Sequence, residues 1–389
     1  MKNTPVLLAV LLFASILVFF GHHNGRWKYE HQLNYTSDVL QGQSDQPMDI
    51  LANIIGFRRM IQKANAYPII GPAVRELGVN WNVRHPHTHP PPALLLVAPI
   101  AYLPLKLSMT VWAYLMLGCL FVSMLLYGFQ WRLSLFISVL SLFWSPVILS
   151  LGQITLIWML GMGVGFKYRN TNLSISGIGI GIASITKFLP VLALFPFLRK
   201  KRAAALIGCA VVWIVSLVIV TVLNQATLSD YFTANRGLAG HAAWRLDNAS
   251  PLMGFYRMFG FSGLALPCLF IVSLCYLNRK DFFDPDQISA RTFMFFSWLS
   301  VALLPIAWIY SLAPLLPVLL YFLIQRNLIS TVLCLFIIAL PNFNPPWGDK
   351  FVVVFYLCVL LTGSLFVLDR LPGKCFRSRY KAGSGKLFV

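Results

Sequence analysis

Charge is scarce in this chain. Only 11% of its 389 residues are charged and 58% are hydrophobic, whereas a soluble domain carries about 25% charged residues. So few charges cannot cover a soluble surface, which excludes a soluble enzyme. Acidic residues are rarest, 12 Asp and Glu against 31 Lys and Arg. The seven cysteines stand at 119, 209, 268, 275, 334, 358 and 375, mostly inside apolar runs, and no CxxC occurs. That spacing excludes a disulfide scaffold and the common zinc motifs, and leaves small core residues. No internal repeat or low-complexity tract stands out. No small-x-small cleavage site follows the first apolar segment, Pro5–Gly21, so it reads as an uncleaved span with a cytoplasmic N-terminus rather than a signal peptide. The net charge of +19 is scattered between apolar runs and lacks any nucleic-acid motif. It fits the positive-inside bias and attraction to anionic lipid, or cationic sites for a phosphate-bearing substrate.

What the chain has is apolar runs of span length from end to end. They fall near 5–21, 91–105, 107–129, 133–150, 153–167, 174–198, 203–223, 261–277, 290–305, 308–324, 328–341 and 351–369. This predicts an all-α polytopic membrane protein with about 10–12 transmembrane helices. Arg199, Lys200, Lys201 and Arg202 form the densest basic cluster and mark the cytoplasmic side, as does the basic tail 370–389. The region 133–198 is broken by Gly and Pro. Its last run reads either as a tilted span or as a hairpin of two half-helices, which membranes tolerate only against protein or water. The division is a first span 1–21, an outer segment 22–90, a membrane core 91–223, a second outer segment 224–260, C-terminal spans 261–369 and the tail.

Ionisable residues in such a chain are functional candidates by default. Asp49 opens Asp49–Ala64, where Ile50, Leu51, Ile54, Ile55, Phe57, Met60 and Ile61 alternate at helical spacing with Arg58, Arg59, Gln62 and Lys63. This predicts an amphipathic helix lying in the membrane interface, with Asp49, Asn53, Gly56 and Met60 on one stripe. A carboxylate at that depth can take a proton from a hydroxyl; it can also serve only as a helix N-cap. In Arg84–Pro92, His85, His87 and His89 alternate. An extended chain would put them on one face, for a phosphate, a sugar or a metal, or as a rigid Pro-rich lead-in to the next span. Gln153 sits at a break and suits either a sugar hydroxyl or a bridge between helices. The GxGxG run Gly177–Gly181 has no preceding strand, so it signals close helix packing and not a dinucleotide site. Lys187, inside an apolar run, needs a partner, phosphate or a path to the interface. The second outer segment offers Arg245, Asp247 and Asn248.

Four blocks stand in order: Asp49 with its helix ending Ala64-Asn65-Ala66-Tyr67-Pro68; His89-Pro90-Pro91-Pro92 through Pro99 to Leu103-Pro104; Leu151-Gly152-Gln153-Ile154-Thr155 with Gly179 through Lys187-Phe188-Leu189-Pro190 and the basic Arg199–Arg202; and Asp247-Asn248-Ala249-Ser250 through Gly254, then Leu304 to Trp308. Together they resemble glycosyltransferase family 87, the polyprenol-phosphate-mannose-dependent mannosyltransferases of the GT-C superfamily. Tyr310-Ser311 stands where members often carry a His-containing pair. The resemblance implies a GT-C bundle with a helical outer loop, and transfer of a sugar, mannose by analogy, from a polyprenyl-phosphate donor. The acceptor would be a glycan or lipid-linked molecule on the extracytoplasmic face of the plasma membrane, and the anomeric centre would invert. It places Asp49 where the family has its catalytic aspartate. Lys187, His87, His89, Gln153, Arg245, Asn248 and Arg58 are the expected donor-binding residues, with no metal or cofactor. A transporter or lipid flippase is the competing expectation, against which stands the absence of inverted repeats.

Overall fold

The computed structural model describes residues 49–78, 89–144, 153–198, 202–244, 256, 259–282, 287–304, 313–324, 332–334 and 350–368. The regular elements among them are all helices. Among the described residues, three segments are long and apolar enough to cross a membrane: Leu105–Leu126, Ala203–Leu223 and Phe259–Arg279. The protein is an all-α polytopic membrane protein. The chain divides into two compact units, one of them Glu30–Ala242, the other containing the helices from Ala243 onward.

The first unit begins with α1 (Asp49–Ile61) and the short α2 (Ile70–Val74). A 3-10 turn over Pro91–Val97 follows, then α3 (Leu105–Leu126), α4 (Trp131–Trp144), α5 (Thr155–Tyr168) and α6 (Leu173–Thr186). A second 3-10 stretch, Leu189–Phe197, leads to α7 (Ala203–Leu223) and α8 (Thr227–Trp244). The run 91–105, expected as a span, is not one continuous helix. Pro90, Pro91, Pro92, Pro99 and Pro104 remove amide donors and bias the residues before them away from the α region.

Glycines set the packing of α6. A Cβ added to Gly161 on α5 would lie 2.5 Å from the Gly179 carbonyl oxygen and 2.7 Å from the Ala183 nitrogen. One on Gly179 would lie 2.6 Å from the Gly161 carbonyl oxygen. The Ser176 hydroxyl donates to the Gly165 carbonyl at 2.8 Å. These contacts run in opposite senses along α5 and α6, so the two helices are antiparallel. On the other side, a Cβ on Gly177 would collide with the Ala205 carbonyl, and one on Gly181 would press on Val212 and Cys209 of α7. Trp213 donates from Nε1 to the Ser184 hydroxyl at 2.6 Å. Here the contacts rise together, so α6 and α7 are parallel. The GxGxG run is close helix packing, as its composition predicted.

A parallel α6–α7 pair settles the broken run. The chain must return from the end of α6 to the start of α7, and the 3-10 stretch makes that return. Arg202 closes its far end, donating from Nη1 to the Pro196 carbonyl at 3.1 Å. The run 174–198 is therefore a hairpin and not a tilted span. Its arms match in length, roughly 21 Å for fourteen α-helical residues and roughly 18 Å for nine 3-10 residues. Lys187 forms the tip, in extended backbone (φ −153°, ψ 136°). Phe188 next to it stacks on Trp213, ring centroids 5.2 Å apart. Along α7, Ile207, Val211, Ile214, Val215, Val218 and Val222 stay exposed on one stripe, the face suited to lipid.

The second unit packs α9 (Ala265–Phe282), α10 (Ala290–Ala302), α11 (Leu316–Ile324) and α12 (Lys350–Leu368) around aromatic rings. Phe322 meets Phe366 edge-on at 4.8 Å, Phe295 meets Phe366 at 5.2 Å, and Trp298 donates to the Val359 carbonyl at 2.7 Å. Ser289 caps α10 by accepting from the Thr292 amide at 3.0 Å.

The glycine contacts give a sharp test. Gly177→Val should cost about 1–3 kcal/mol or more, because backbone and not a mobile side chain blocks the site. Gly118 in α3 has nothing within 4 Å of an added Cβ, so Gly118→Ala should be neutral or stabilising by up to roughly 1 kcal/mol. Thermal unfolding of the purified chain in detergent compares the two.

Candidate active site

α1 carries the expected base and is packed inside protein. Ile50 through Phe57 are all buried, including Asn53 and Gly56. The polar side expected along the helix is confined to its end, where Arg58 and Arg59 are half-buried and Gln62 and Lys63 exposed. Lys63 adopts φ 56° and the Ala64 amide donates to the Arg59 carbonyl at 2.9 Å, a Schellman termination. The helix does not lie flat across the end of the bundle. The Asn224 side chain, just past α7, donates to the Ala64 carbonyl at 3.0 Å. Asp49, at the other end of α1, reaches the level of Lys187 and so of Trp213, roughly 16 Å back along α7. α1 therefore runs beside α7 into the bundle.

Asp49 and Lys187 are close enough to couple: the Asp49 carboxylate acts electrostatically on the Lys187 ammonium. Both residues are half-buried. The helix start favours Asp49 through the exposed first-turn amides, so its placement serves the helix as well. His89 joins from the Pro-rich segment. Its Nδ1 lies 3.0 Å from Asn53 Oδ1, and Asn53 donates from Nδ2 to the Asp49 carbonyl at 3.1 Å. That second bond fixes the Asn53 amide with its oxygen toward His89, so His89 Nδ1 carries the proton. Tyr67 donates from its hydroxyl to the His89 carbonyl at 2.9 Å and is buried. Burial, then the neighbours Tyr231 and Asp230, push its phenol well above the usual range, so it stays a donor. Asn53 and Tyr67 are the residues sequence reasoning missed in this role. Asn53 stood on the predicted stripe and Tyr67 in a quoted block, but their partners lie 36 and 22 residues away.

Gln153 is fully buried just before α5 and Thr155 opens that helix. The α5–α6 register brings this end of α5 level with Lys187. Gln153 does not bridge helices by hydrogen bonds; neither end of its amide has a partner among the described residues. Arg58 is placed elsewhere. It donates from Nε to the Ala101 carbonyl at 2.6 Å, and its guanidinium lies 5.6 Å from the centre of the Tyr102 ring. It sits at the opposite end of α1 from Asp49 and holds α1 to the turn after Val97. His87, Arg245 and Asn248 lie outside the described residues. Among the described residues no three metal-binding side chains gather.

The arrangement offers a carboxylate coupled to an ammonium, a His held in one tautomer, and buried polar groups level with them. Residues 87–278 match the family model of Glycosyltransferase family 87. The match covers just under half of the chain and identifies it as a glycosyltransferase. No curated protein and no solved structure matches it. The stretch matched to this glycosyltransferase holds His89, Gln153 and Lys187 and begins after Asp49. The carboxylate is linked to the matched region through its electrostatic action on Lys187.

Asn53→Leu should expose how far this transferase depends on that scaffold. It leaves the buried His89 Nδ1 without its acceptor, a loss of about 1–3 kcal/mol. Thermal unfolding should fall accordingly. Sugar transfer measured below the new melting point should fall roughly 10-fold if His89 is displaced by even a modest distance.

Proposed function

We propose that this glycosyltransferase moves a hexose, mannose by family analogy, from a polyprenyl-phosphate donor to a hydroxyl of a glycan or lipid-linked acceptor. The electrostatic coupling of Asp49 to Lys187 is the observation that carries the reading. Asp49 takes the proton of the acceptor hydroxyl as its oxygen bonds to the anomeric carbon. The bond from that carbon to the phosphate oxygen breaks, and the electron pair leaves with the polyprenyl phosphate. Lys187 stabilises the charge that develops there, as preorganised cations do. In a direct displacement the base and the leaving phosphate stand on opposite sides of the anomeric carbon, so the ring lies between the two side chains. His89 acts from the base side through Asn53. His87, Arg245 and Asn248 complete the donor contacts in this reading.

The outer face of the plasma membrane is the proposed side. The hairpin is closed by Arg202 at the end of the basic cluster, which the positive-inside bias puts in the cytoplasm. The two segments read as outer, 22–90 and 224–260, bond to each other at the far end of α7: Asn224 to Ala64, and the Ala66 amide to Asp230 Oδ2 at 3.3 Å. The Lys187 tip points toward that end. The family supports transfer over the competing transporter reading.

Asp49→Asn should lower transfer of labelled hexose from a polyprenyl-phosphate donor roughly 10²–10⁴-fold, the usual worth of a positioned base. Lys187→Met should lower it roughly 10²–10³-fold. Each variant leaves the other charge without its counter-charge, so transfer is measured per amount of folded protein in the membrane. Full transfer by Asp49→Asn would remove the assignment.

A further inference from the structure

Three buried side-chain atoms at the Lys187 end of α5 have no partner among the described residues: the amide nitrogen and oxygen of Gln153 and the hydroxyl of Thr155. Gln153 is 0% exposed and Thr155 1%. Buried polar groups in folded proteins are nearly always bonded, so such a pair needs an explanation. Lipid does not supply one, since hydrocarbon neither donates nor accepts.

Their height in the bundle follows from the α5–α6 register. Gly161 packs on Gly179 and Ala183, and Gly165 accepts from Ser176. Continued toward the start of α5, the same register puts Thr155 level with Lys187. The unpartnered atoms therefore stand at the depth where Asp49 acts on Lys187.

Their chemistry selects a class of ligand. A glutamine amide offers two N–H donors and an acceptor, and a threonine hydroxyl offers one of each. Phosphate is chiefly an acceptor and would leave the Gln153 oxygen facing other lone pairs. Neighbouring ring hydroxyls, each both donor and acceptor, match the set. We propose that Gln153 and Thr155 hold the hydroxyls of the transferred sugar, while Lys187 takes the phosphate. This rests on reading Asp49 and Lys187 as the transfer centre.

Binding, rather than transfer, separates the two claims. The full chain in lipid nanodiscs is titrated with a polyprenyl-phosphate hexose and with the bare polyprenyl phosphate. Gln153→Leu keeps the volume and removes the amide. It should weaken the glycosylated lipid about 10-fold, as loss of one or two ligand hydrogen bonds does. It should leave the bare lipid unchanged and should not lower the melting temperature. Thr155→Val should give the same selective loss at about 3-fold, and it decides the matter if Gln153→Leu fails to fold. Unchanged binding of both lipids by the variants would mean that a buried water satisfies these groups, and would overturn the subsite. Equal weakening of both lipids would overturn it too, as would a wild-type chain that does not prefer the glycosylated lipid. Wild-type chain that binds neither lipid overturns the polyprenyl donor along with the subsite. The role of Asp49 as base is read from transfer alone and can fail while the sugar preference stands.

Discussion

A carboxylate and an ammonium coupled electrostatically within a bundle of apolar helices are the constraint on which the rest depends. Either charge alone at that depth is costly, because neither lipid nor hydrocarbon side chains can solvate it. Together they offset much of that cost, and they leave a site with both signs of charge, which is what displacement at a sugar phosphate requires. Two separate parts of the chain deliver them: the start of α1 brings Asp49 and the tip of the α6 hairpin brings Lys187. The pair therefore exists only if α1 and the hairpin are both held in register with α7.

That register comes from small residues and a few long-range hydrogen bonds. Gly161, Gly177, Gly179, Gly181 and Gly208 let α5, α6 and α7 approach until backbone meets backbone, where dispersion and weak polar contacts replace a hydrophobic drive that is absent between helices in lipid. Ser176, Ser184 and Trp213 fix the sliding position. The Phe188–Trp213 stack turns the chain back at Lys187. At the other end, Asn224 and Asp230 hold the Ala64–Ala66 loop, which fixes how deep α1 descends. Tyr67, His89 and Asn53 then tie the Pro-rich segment to the turn that carries Asp49.

Much of this was legible in the sequence. Few charges and long apolar runs dictate a membrane bundle whatever the contacts. Asp49 stands out because acidic residues are rare, and the Gly177–Gly181 run reads as packing because no strand precedes it. The direction of 187–198 was not legible. An apolar stretch of that length has the same composition whether it continues across or folds back, and the choice rests on Trp213 and Arg202, which lie beyond it. The steep course of α1 was hidden for a related reason. Its helical periodicity shows which residues share a face, but its protein neighbours are segments far along the chain, so protein burial and interfacial burial look alike. Arg58 was expected near the donor because it is a cation on the Asp49 helix; nine residues of helix carry it to the other end, roughly 13 Å away. Gln153 was recognised as polar at a break, but only the packing around it shows that the helices leave its amide unpaired.

The most direct measurement is a cryo-electron microscopy structure of the full chain in lipid nanodiscs with a polyprenyl-phosphate hexose bound, using Asp49→Asn to block turnover. The phosphate should lie within hydrogen-bond reach of Lys187 Nζ, with the sugar ring between that phosphate and the side chain at position 49. A phosphate bound elsewhere on the bundle, with Lys187 turned away from it, would contradict the proposed transfer centre.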